Sequence, residues 1–137
     1  MNSLETAALT AFFGVLVFVL GQFVQKFILE PIQEQRKVIA EIAFVLVFLR
    51  NVSKGSISTE EELHEANATI RRLAAQLRAT LWTIPLYGVF ARLRIVPERK
   101  AIFEASKALI GWSNSIYSGG ISIAENIKMV EQILHLE

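Results

Sequence analysis

The side chains that could perform chemistry in this sequence are two histidines, thirteen glutamates and several serines. His64 follows Glu60 and Glu61 by one helical turn, and His135 follows Glu131 in the same way. A histidine and a carboxylate at this spacing share one helical face and could supply half of a metal site. Because the sequence has no HExxH motif and no second histidine cluster, we interpret both pairs as surface ion pairs and predict no metal.

Glu41 is a further candidate, because it interrupts an apolar run where a buried carboxylate could carry a proton. It has no evident acid-base partner, so we predict that it faces solvent or pairs with Lys37 one turn away. The serines that we considered as nucleophiles lack a GxSxG context: Ser113, Ser115, Ser118 and Ser122. Cysteine, a phosphate loop and a dinucleotide fingerprint are also missing from the sequence. We therefore predict a protein that is not an enzyme and has no cofactor.

The composition favours an all-helical protein. All 13 acidic residues are glutamate, which suits helix interiors better than aspartate does. With 14 basic residues the net charge is +1, so bulk charge does not indicate a nucleic-acid partner. Basic residues in the middle third could face anionic lipid headgroups, although the matching number of glutamates favours a solvated surface.

These side chains must be positioned by an architecture that begins with the apolar stretch from Ala7 to Leu29. Its only formal charge is Lys26, and a helix of this length spans about 34 Å, enough for the hydrocarbon core of a bilayer. We interpret it as a single transmembrane helix. A signal peptide would need basic residues before the apolar core and small residues after it, and this order is reversed here. A buried soluble helix is the other alternative, but the stretch is long and apolar almost all round.

The transmembrane stretch has two unlike faces at 100° per residue. Bulky residues such as Phe12, Leu16 and Phe23 suit lipid, while small and amide side chains on the other face would allow close helix packing and hydrogen bonds across a contact. That predicted packing face consists of Ala7, Ala11, Gly14, Gly21, Gln22 and Gln25. Small residues are also common in membrane helices generally. The seven-residue separation of Gly14 and Gly21 fits a left-handed pair or a ring better than a GxxxG dimer.

Flanking charge predicts the orientation of this helix. Arg36, Lys37 and Arg50 follow the apolar stretch, whereas only Glu5 and the terminal amine precede it. Because basic flanks stay on the cytoplasmic side, we predict an N-terminus outside and a cytoplasmic remainder. The domain prediction is an anchor over residues 1–30 and a bundle of four to five helices over residues 31–137. The possible lipid-headgroup contacts are Lys26, Arg36, Lys37, Arg92 and Arg94.

Pro31 predicts a bend directly after the anchor, either as a kink in a continuous helix or as a break. A second helix is expected over residues 32–50. Because Ile42 to Leu49 are all apolar, we predict that its second half is buried all round as the central helix of the bundle. The alternative is an interfacial or re-entrant segment.

Two capping boxes predict helix starts in the remainder of the chain, one at Ser58 or Thr59 and one at Ser122. The helix after the first box has a heptad seam that consists of Leu63, Ala66, Ile70, Leu73, Leu77, Leu81 and Ile84. Another helix is expected from Pro97, with a buried stripe of Ile102, Phe103, Ala105, Leu109, Ile110 and Ile116, and with Trp112 and Tyr117 at its rim. The last helix is predicted to bury Ile123, Ile127, Val130 and Leu134.

Residues 86–96 predict a short amphipathic helix with Leu86, Val89, Phe90, Leu93 and Val96 on one face. We favour a bundle element that buries this face and leaves its arginines in solvent. The alternative is a basic segment that lies on the membrane surface.

The stretch EPIQEQRKVIAEIAFVLVFLRN, which follows the apolar helix, resembles short single-pass bacterial membrane proteins of no assigned function. The resemblance covers residues 5–55. It implies a location in a bacterial inner membrane and nothing about activity.

Three hypotheses of function follow from these patterns. The first is a membrane-anchored helical interaction or scaffold module that self-associates through its transmembrane helix. Its candidate partners are membrane lipid, further copies of the chain and a protein that binds the bundle. The second is a small oligomeric channel or membrane-permeabilising effector, with Gln22 and Gln25 near its cytoplasmic mouth. The third is a soluble bundle whose first helix inserts into a partner.

Overall fold

The computed structural model describes residues 2–52, 59–115 and 122–135, and within these ranges it contains helices and no strand. The helices are α1 (Ser3–Val24), α2 (Glu30–Val52), α3 (Glu60–Thr83), α4 (Tyr87–Arg92), α5 (Arg99–Ser115) and α6 (Ser122–Leu134). A π-helical turn, Gln25–Leu29, joins α1 to α2. The predicted all-α fold, with a long apolar N-terminal helix followed by a helical bundle, is confirmed.

At Pro31 the helix is continuous rather than broken, because α1, the π-helical turn and α2 follow one another without a gap. Proline has no N–H and its ring crowds the carbonyl four residues back, here that of Phe27. The π-helical turn lies just before Pro31, and the backbone N–H of Glu30 reaches back five residues to the carbonyl of Gln25. A π-bulge of this kind inserts one residue into the helix without ending it.

The core lies between α2, α3, α5 and α6, and α1 is outside it. Every described residue of α1 is exposed, whereas α2 buries Ile32, Val38, Ile42 and Leu46. One helical rod therefore has an unburied apolar half and a half that is packed into the bundle. By length and composition, the apolar helix from Ser3 to Phe48 is the one among the described residues that meets the requirements for crossing a membrane.

Helices α2 and α3 are antiparallel, as two contacts between them indicate. Glu41 meets Arg72 near one end of the pair, and Gln35 meets Thr80 near the other. The C-terminal end of α3 therefore returns to the start of α2, beside the apolar half of the rod.

The predicted start and seam of α3 are confirmed. Thr59 is the N-cap, its hydroxyl accepts from the backbone N–H of Glu62, and the Glu62 carboxylate accepts from the N–H of Thr59. The seam is buried from Ile70 to Ile84, while Leu63 and Ala66 are partly buried. Helix α3 ends at Thr83, before Pro85.

The prediction that the second half of α2 is buried all round is wrong. Phe44, Val47 and Phe48 lie on its outer face, and Phe44 is 68% exposed. The other helices of the described bundle cover one side of α2 only, so an uninterrupted apolar run did not imply complete burial. Glu41 also pairs with Arg72 of α3, with 3.0 Å between Oε1 and Nη2, rather than with Lys37.

The prediction for residues 86–96 is also wrong about the buried face. Leu86, Val89 and Leu93 are exposed, Phe90 is partly buried, and Tyr87 takes the buried position with Val96. The reason is that a single helical period does not run through this segment. Leu86 and Arg94 have left-handed backbone conformations at φ 51° and 57°, so α4 is only six residues long and the chain changes direction on both sides of it.

Helices α5 and α6 agree with the sequence except at the edges of their stripes. Ile102, Ala105 and Leu109 are buried, but Phe103 and Ile110 are partly solvent-exposed. Trp112 was expected at the rim and is instead 2% exposed in the core. In α6, Ile127, Val130 and Leu134 are buried as predicted. The predictions for Ile116, Tyr117 and the side chain of Ile123 fall outside the described residues.

Candidate functional site

The predicted packing face of the apolar helix is open in the structure. Ala7, Ala11, Gly14, Gly21 and Gln22 lie on α1, Gln25 begins the π-helical turn, and all six are exposed. A Cβ atom added at Gly14 or Gly21 would meet no described atom within 4 Å. The glycines are therefore not required by packing within one copy of the described chain.

Of the five predicted headgroup contacts, the structure brings three to the same end of the bundle. Arg36 Nη2 donates to the backbone carbonyl of Ile95 at 3.4 Å, which joins the start of α2 to the segment that carries Arg92 and Arg94. Both of these arginines are exposed. Lys26 lies exposed in the π-helical turn, and Lys37 pairs with Glu34 on its own helix at 3.8 Å between Nζ and Oε2.

A buried polar cluster, which the sequence patterns did not predict, joins α2 to α3 and α4 at this end of the bundle. Gln35 is fully buried, and its Nε2 donates to Thr80 Oγ1 at 2.9 Å and to Tyr87 Oη at 3.1 Å. The Thr80 hydroxyl donates in turn to the carbonyl of Leu77 at 2.6 Å, and the Tyr87 hydroxyl to that of Pro97 at 2.7 Å. We call Gln35, Thr80 and Tyr87 the polar clamp.

The proton assignments within the polar clamp are mutually consistent. Each hydroxyl has one proton, which it gives to a backbone carbonyl, and each accepts one of the two amide protons of Gln35. With the Gln35 amide reversed, its oxygen could accept from the two hydroxyls only if they gave up their bonds to the carbonyls of Leu77 and Pro97. Gln35 Oε1 is buried and has no hydrogen-bond partner among the described residues.

The environment of Tyr87 keeps its hydroxyl protonated. Burial raises the pKa of the phenol above its ordinary value of 10.0, and this outweighs the opposing effects of the Gln35 hydrogen bond and the Arg99 charge. The Arg99 guanidinium carbon lies 5.5 Å from the centre of the Tyr87 ring. A neutral hydroxyl can both donate and accept, as the polar clamp requires.

Next to the polar clamp is an exposed apolar surface on α4. It combines Leu86, Val89 and Leu93 with the cationic side chains of Arg92 and Arg99 in one shallow depression. We call these five residues the elbow surface, because the chain turns there between α3 and α5.

The signal for the polar clamp is visible in the sequence once the register of α2 is known. Gln35 occupies a position three residues after Ile32 and three before Val38, so it lies on the apolar stripe that the bundle covers. A glutamine in such a stripe indicates a buried hydrogen-bonded partner. The identity of that partner depends on how α2 aligns with α3, and the spacing of residues within one helix does not predict this alignment.

The candidates for chemistry are dispersed. Within residues 2–52, 59–115 and 122–135, no group of three histidine, aspartate or glutamate side chains has a geometry that could hold a metal ion. Ser113 is buried, donates to the carbonyl of Ile110 at 2.8 Å and accepts from Arg71 Nε at 3.3 Å. Asn67 donates to the carbonyl of Ser113 at 2.6 Å, so these polar groups join α3 to α5.

Comparison of the chain with models of known protein families, with curated proteins and with solved structures gave no match. The fold and exposure therefore define the class: a helical bundle that continues from one helix long and apolar enough to cross a membrane. The resemblance to single-pass bacterial membrane proteins stays a prediction.

Proposed function

We propose that this protein is a membrane-anchored helical interaction module, with its bundle on the cytoplasmic side of a bacterial inner membrane. The observation that carries the proposal is that α1 is exposed along its whole length while α2, on the same rod, is packed into the core. An apolar surface of this extent is far larger than soluble monomers expose to water. Lipid removes the cost of exposing these apolar side chains to water. A helix is also suited to lipid, because its internal backbone groups are already hydrogen-bonded to one another.

The rigid connection supports a positioning role for the anchor. The π-helical turn carries the helix past Pro31, and the polar clamp then fixes the start of α2 to α3 and α4. The bundle would therefore be held at a fixed height above the bilayer and at a fixed angle to α1.

The module self-associates through the small face of α1. Gly14 and Gly21 leave open space around their backbones, which permits the close approach that drives helix pairing in lipid. Gln22 and Gln25 lie at one end of this face, where amides could hydrogen-bond between copies. The bundle would then be available for a further copy or for another protein.

Two measurements test the proposal on the full-length chain. In membranes of expressing cells, we expect the protein to stay in the pellet after an alkaline wash, and release would overturn the anchor.

Purified in detergent, the protein should have the mass of an oligomer, and Gly14→Leu together with Gly21→Leu should shift it to a monomer. The matched control is Leu16→Ile together with Val19→Leu on the bulky face, which should leave the mass unchanged. A monomeric wild-type protein would overturn self-association.

A further inference from the structure

The height of the elbow surface follows from the geometry of the rod. Gln35 comes six residues after Leu29, where the apolar stretch ends, so it lies about 9 Å beyond that end along the helix. The headgroup region of a bilayer is about 5–8 Å thick on each side of the hydrocarbon core. Because Gln35 is hydrogen-bonded to Tyr87, α4 is held at the outer edge of the headgroup region if α1 spans the membrane, within reach of side chains that extend toward the bilayer.

The side chains at that level are unusual for a surface in water. Leu86 is 73% exposed, and Val89 and Leu93 are also more exposed than buried. The last turn of α3 adds Trp82, which is 81% exposed at the same end of the bundle. Short apolar segments and tryptophan are typical of protein surfaces that enter the interfacial region of a bilayer.

Every charged residue within residues 66–97, which include α4, is basic. Arg92, Arg94 and Arg99 lie within or beside the elbow surface. A guanidinium group binds phosphate with two parallel hydrogen bonds, and basic residues near an anionic membrane are attracted to its negative surface. Glu98 is exposed and precedes Arg99 at the start of α5.

The backbone that carries the elbow surface is also preorganised. The N–H of Ile95 reaches the carbonyl of Phe90 at 3.0 Å, and that of Arg94 reaches the carbonyl of Ala91 at 3.0 Å, with Arg94 left-handed between them. This pair of bonds is a Schellman motif, which fixes the exit of α4. With Tyr87 buried in the polar clamp, the exposed side chains are presented without further ordering of the backbone, which lowers the entropic cost of binding.

We propose that the elbow surface is a second membrane contact, in which Leu86, Val89 and Leu93 enter the interface and Arg92 and Arg94 bind the phosphates of anionic phospholipids. The inference rests on the proposed insertion of α1. With α1 it gives the bundle two attachments to the same leaflet, which fixes its tilt as well as its height.

The lack of cysteine in the chain permits a direct test in the full-length protein. Single variants Val89→Cys and Leu93→Cys carry a nitroxide label in nanodiscs of phosphatidylcholine and phosphatidylglycerol. Collisions with oxygen and with a water-soluble nickel chelate report the depth of the label. Val15→Cys on α1 is the control for the anchor, and Ala68→Cys, exposed near the other end of α3, is the control for solvent.

We expect the labels at residues 89 and 93 to favour oxygen over nickel, as at residue 15, and the label at residue 68 to favour nickel. If residues 89 and 93 behave like residue 68 while residue 15 favours oxygen, the elbow contact is wrong and the anchor stands. If residue 15 also favours nickel, the anchor itself is wrong.

The role of the arginines has its own test. In the anionic nanodiscs, Arg92→Gln with Arg94→Gln should raise nickel accessibility at residue 89 several-fold. Lys107→Gln with Lys128→Gln removes the same charge from exposed positions on α5 and α6 and should have no effect. In discs of phosphatidylcholine alone, the arginine variant and the parent should differ little. An arginine variant that matches its parent in the anionic discs would overturn headgroup binding.

Discussion

Gln35 Nε2 donates a hydrogen bond of 3.1 Å to Tyr87 Oη, across 52 residues of sequence. This contact joins the first turns of α2, just beyond the apolar rod, to the short helix that carries the elbow surface. Both groups are buried, so water cannot replace either partner if one is removed. The contact therefore makes the position of α4 depend on the position of α2.

The first prediction concerns the tyrosine hydroxyl. Tyr87→Phe keeps the ring but leaves one amide proton of Gln35 and the carbonyl of Pro97 without their present partners. Because an unsatisfied buried donor costs about 1–3 kcal/mol, we expect the free energy of unfolding to fall by about that amount. Chemical denaturation in a mild detergent, followed by helical circular dichroism, measures it.

Gln35→Met is the matched comparison for this prediction. It removes both amide hydrogen bonds, but each hydroxyl keeps the carbonyl to which it donates, and the unpartnered Gln35 oxygen disappears as well. We expect a smaller loss than for Tyr87→Phe, since no buried donor is left unpaired. A Tyr87→Phe protein as stable as the parent would show that the polar clamp does not stabilise the fold.

The second prediction is a pH dependence. Because burial raises the pKa of Tyr87 in the folded protein above 10.0, its contribution to stability is fully present below the unfolded pKa. As the pH rises above 10 the unfolded chain loses the phenolic proton first, and the stability from Tyr87 is lost as the pH passes through the folded value. The free energy of unfolding should therefore fall faster in this range for the parent than for Tyr87→Phe, and the difference between the two proteins should become smaller. A difference that stays constant to high pH would contradict the raised pKa.

The third prediction concerns the exit from α4. Arg94 occupies the left-handed position of the Schellman motif, where glycine has no steric penalty. Allowing for the extra freedom of glycine in the unfolded chain, we expect Arg94→Gly to raise the free energy of unfolding by up to about 1 kcal/mol in detergent. Arg94→Ala removes the same charge but keeps a Cβ atom in the left-handed conformation, so it should not raise the free energy of unfolding. Equal stability of the two variants would contradict the backbone explanation.

The extent to which the sequence predicted the fold depended on whether a feature was local. The Thr59 cap, the α3 seam and the apolar character of α1 all follow from spacing within one helix, and each is present. The polar clamp depends on the alignment of α2 with α3, which periodicity does not contain. Its members were therefore missed, although Gln35 lies in an apolar stripe.

The errors on α4 and α2 have a different cause. Two left-handed residues that are not glycine, Leu86 and Arg94, interrupt the period on which the assignment of a buried face to residues 86–96 relied. On α2, the run from Ile42 to Leu49 gave no information about how many neighbours cover the helix. Phe44 is exposed because the described bundle packs against the opposite side.

The last prediction concerns the π-helical turn. We attribute this turn to Pro31, because a regular α-helix would leave the proline ring against the carbonyl of Phe27. Pro31→Ala restores an N–H that can bond to that carbonyl, so we expect the bulge to close into regular α-helix. Closing a one-residue bulge turns α1 by about 100° relative to the bundle.

Disulfide crosslinking between copies in membranes tests this prediction, because the protein has no cysteine of its own. Gln25→Cys, beside the bulge, and Gly14→Cys, far from it, should crosslink comparably in the parent. In Pro31→Ala, residue 14 should still crosslink, because copies pair through α1 itself, while crosslinking at residue 25 should fall, because residue 25 begins the turn whose geometry has changed. Unchanged crosslinking at residue 25 would indicate that Pro31 does not determine the geometry of the turn.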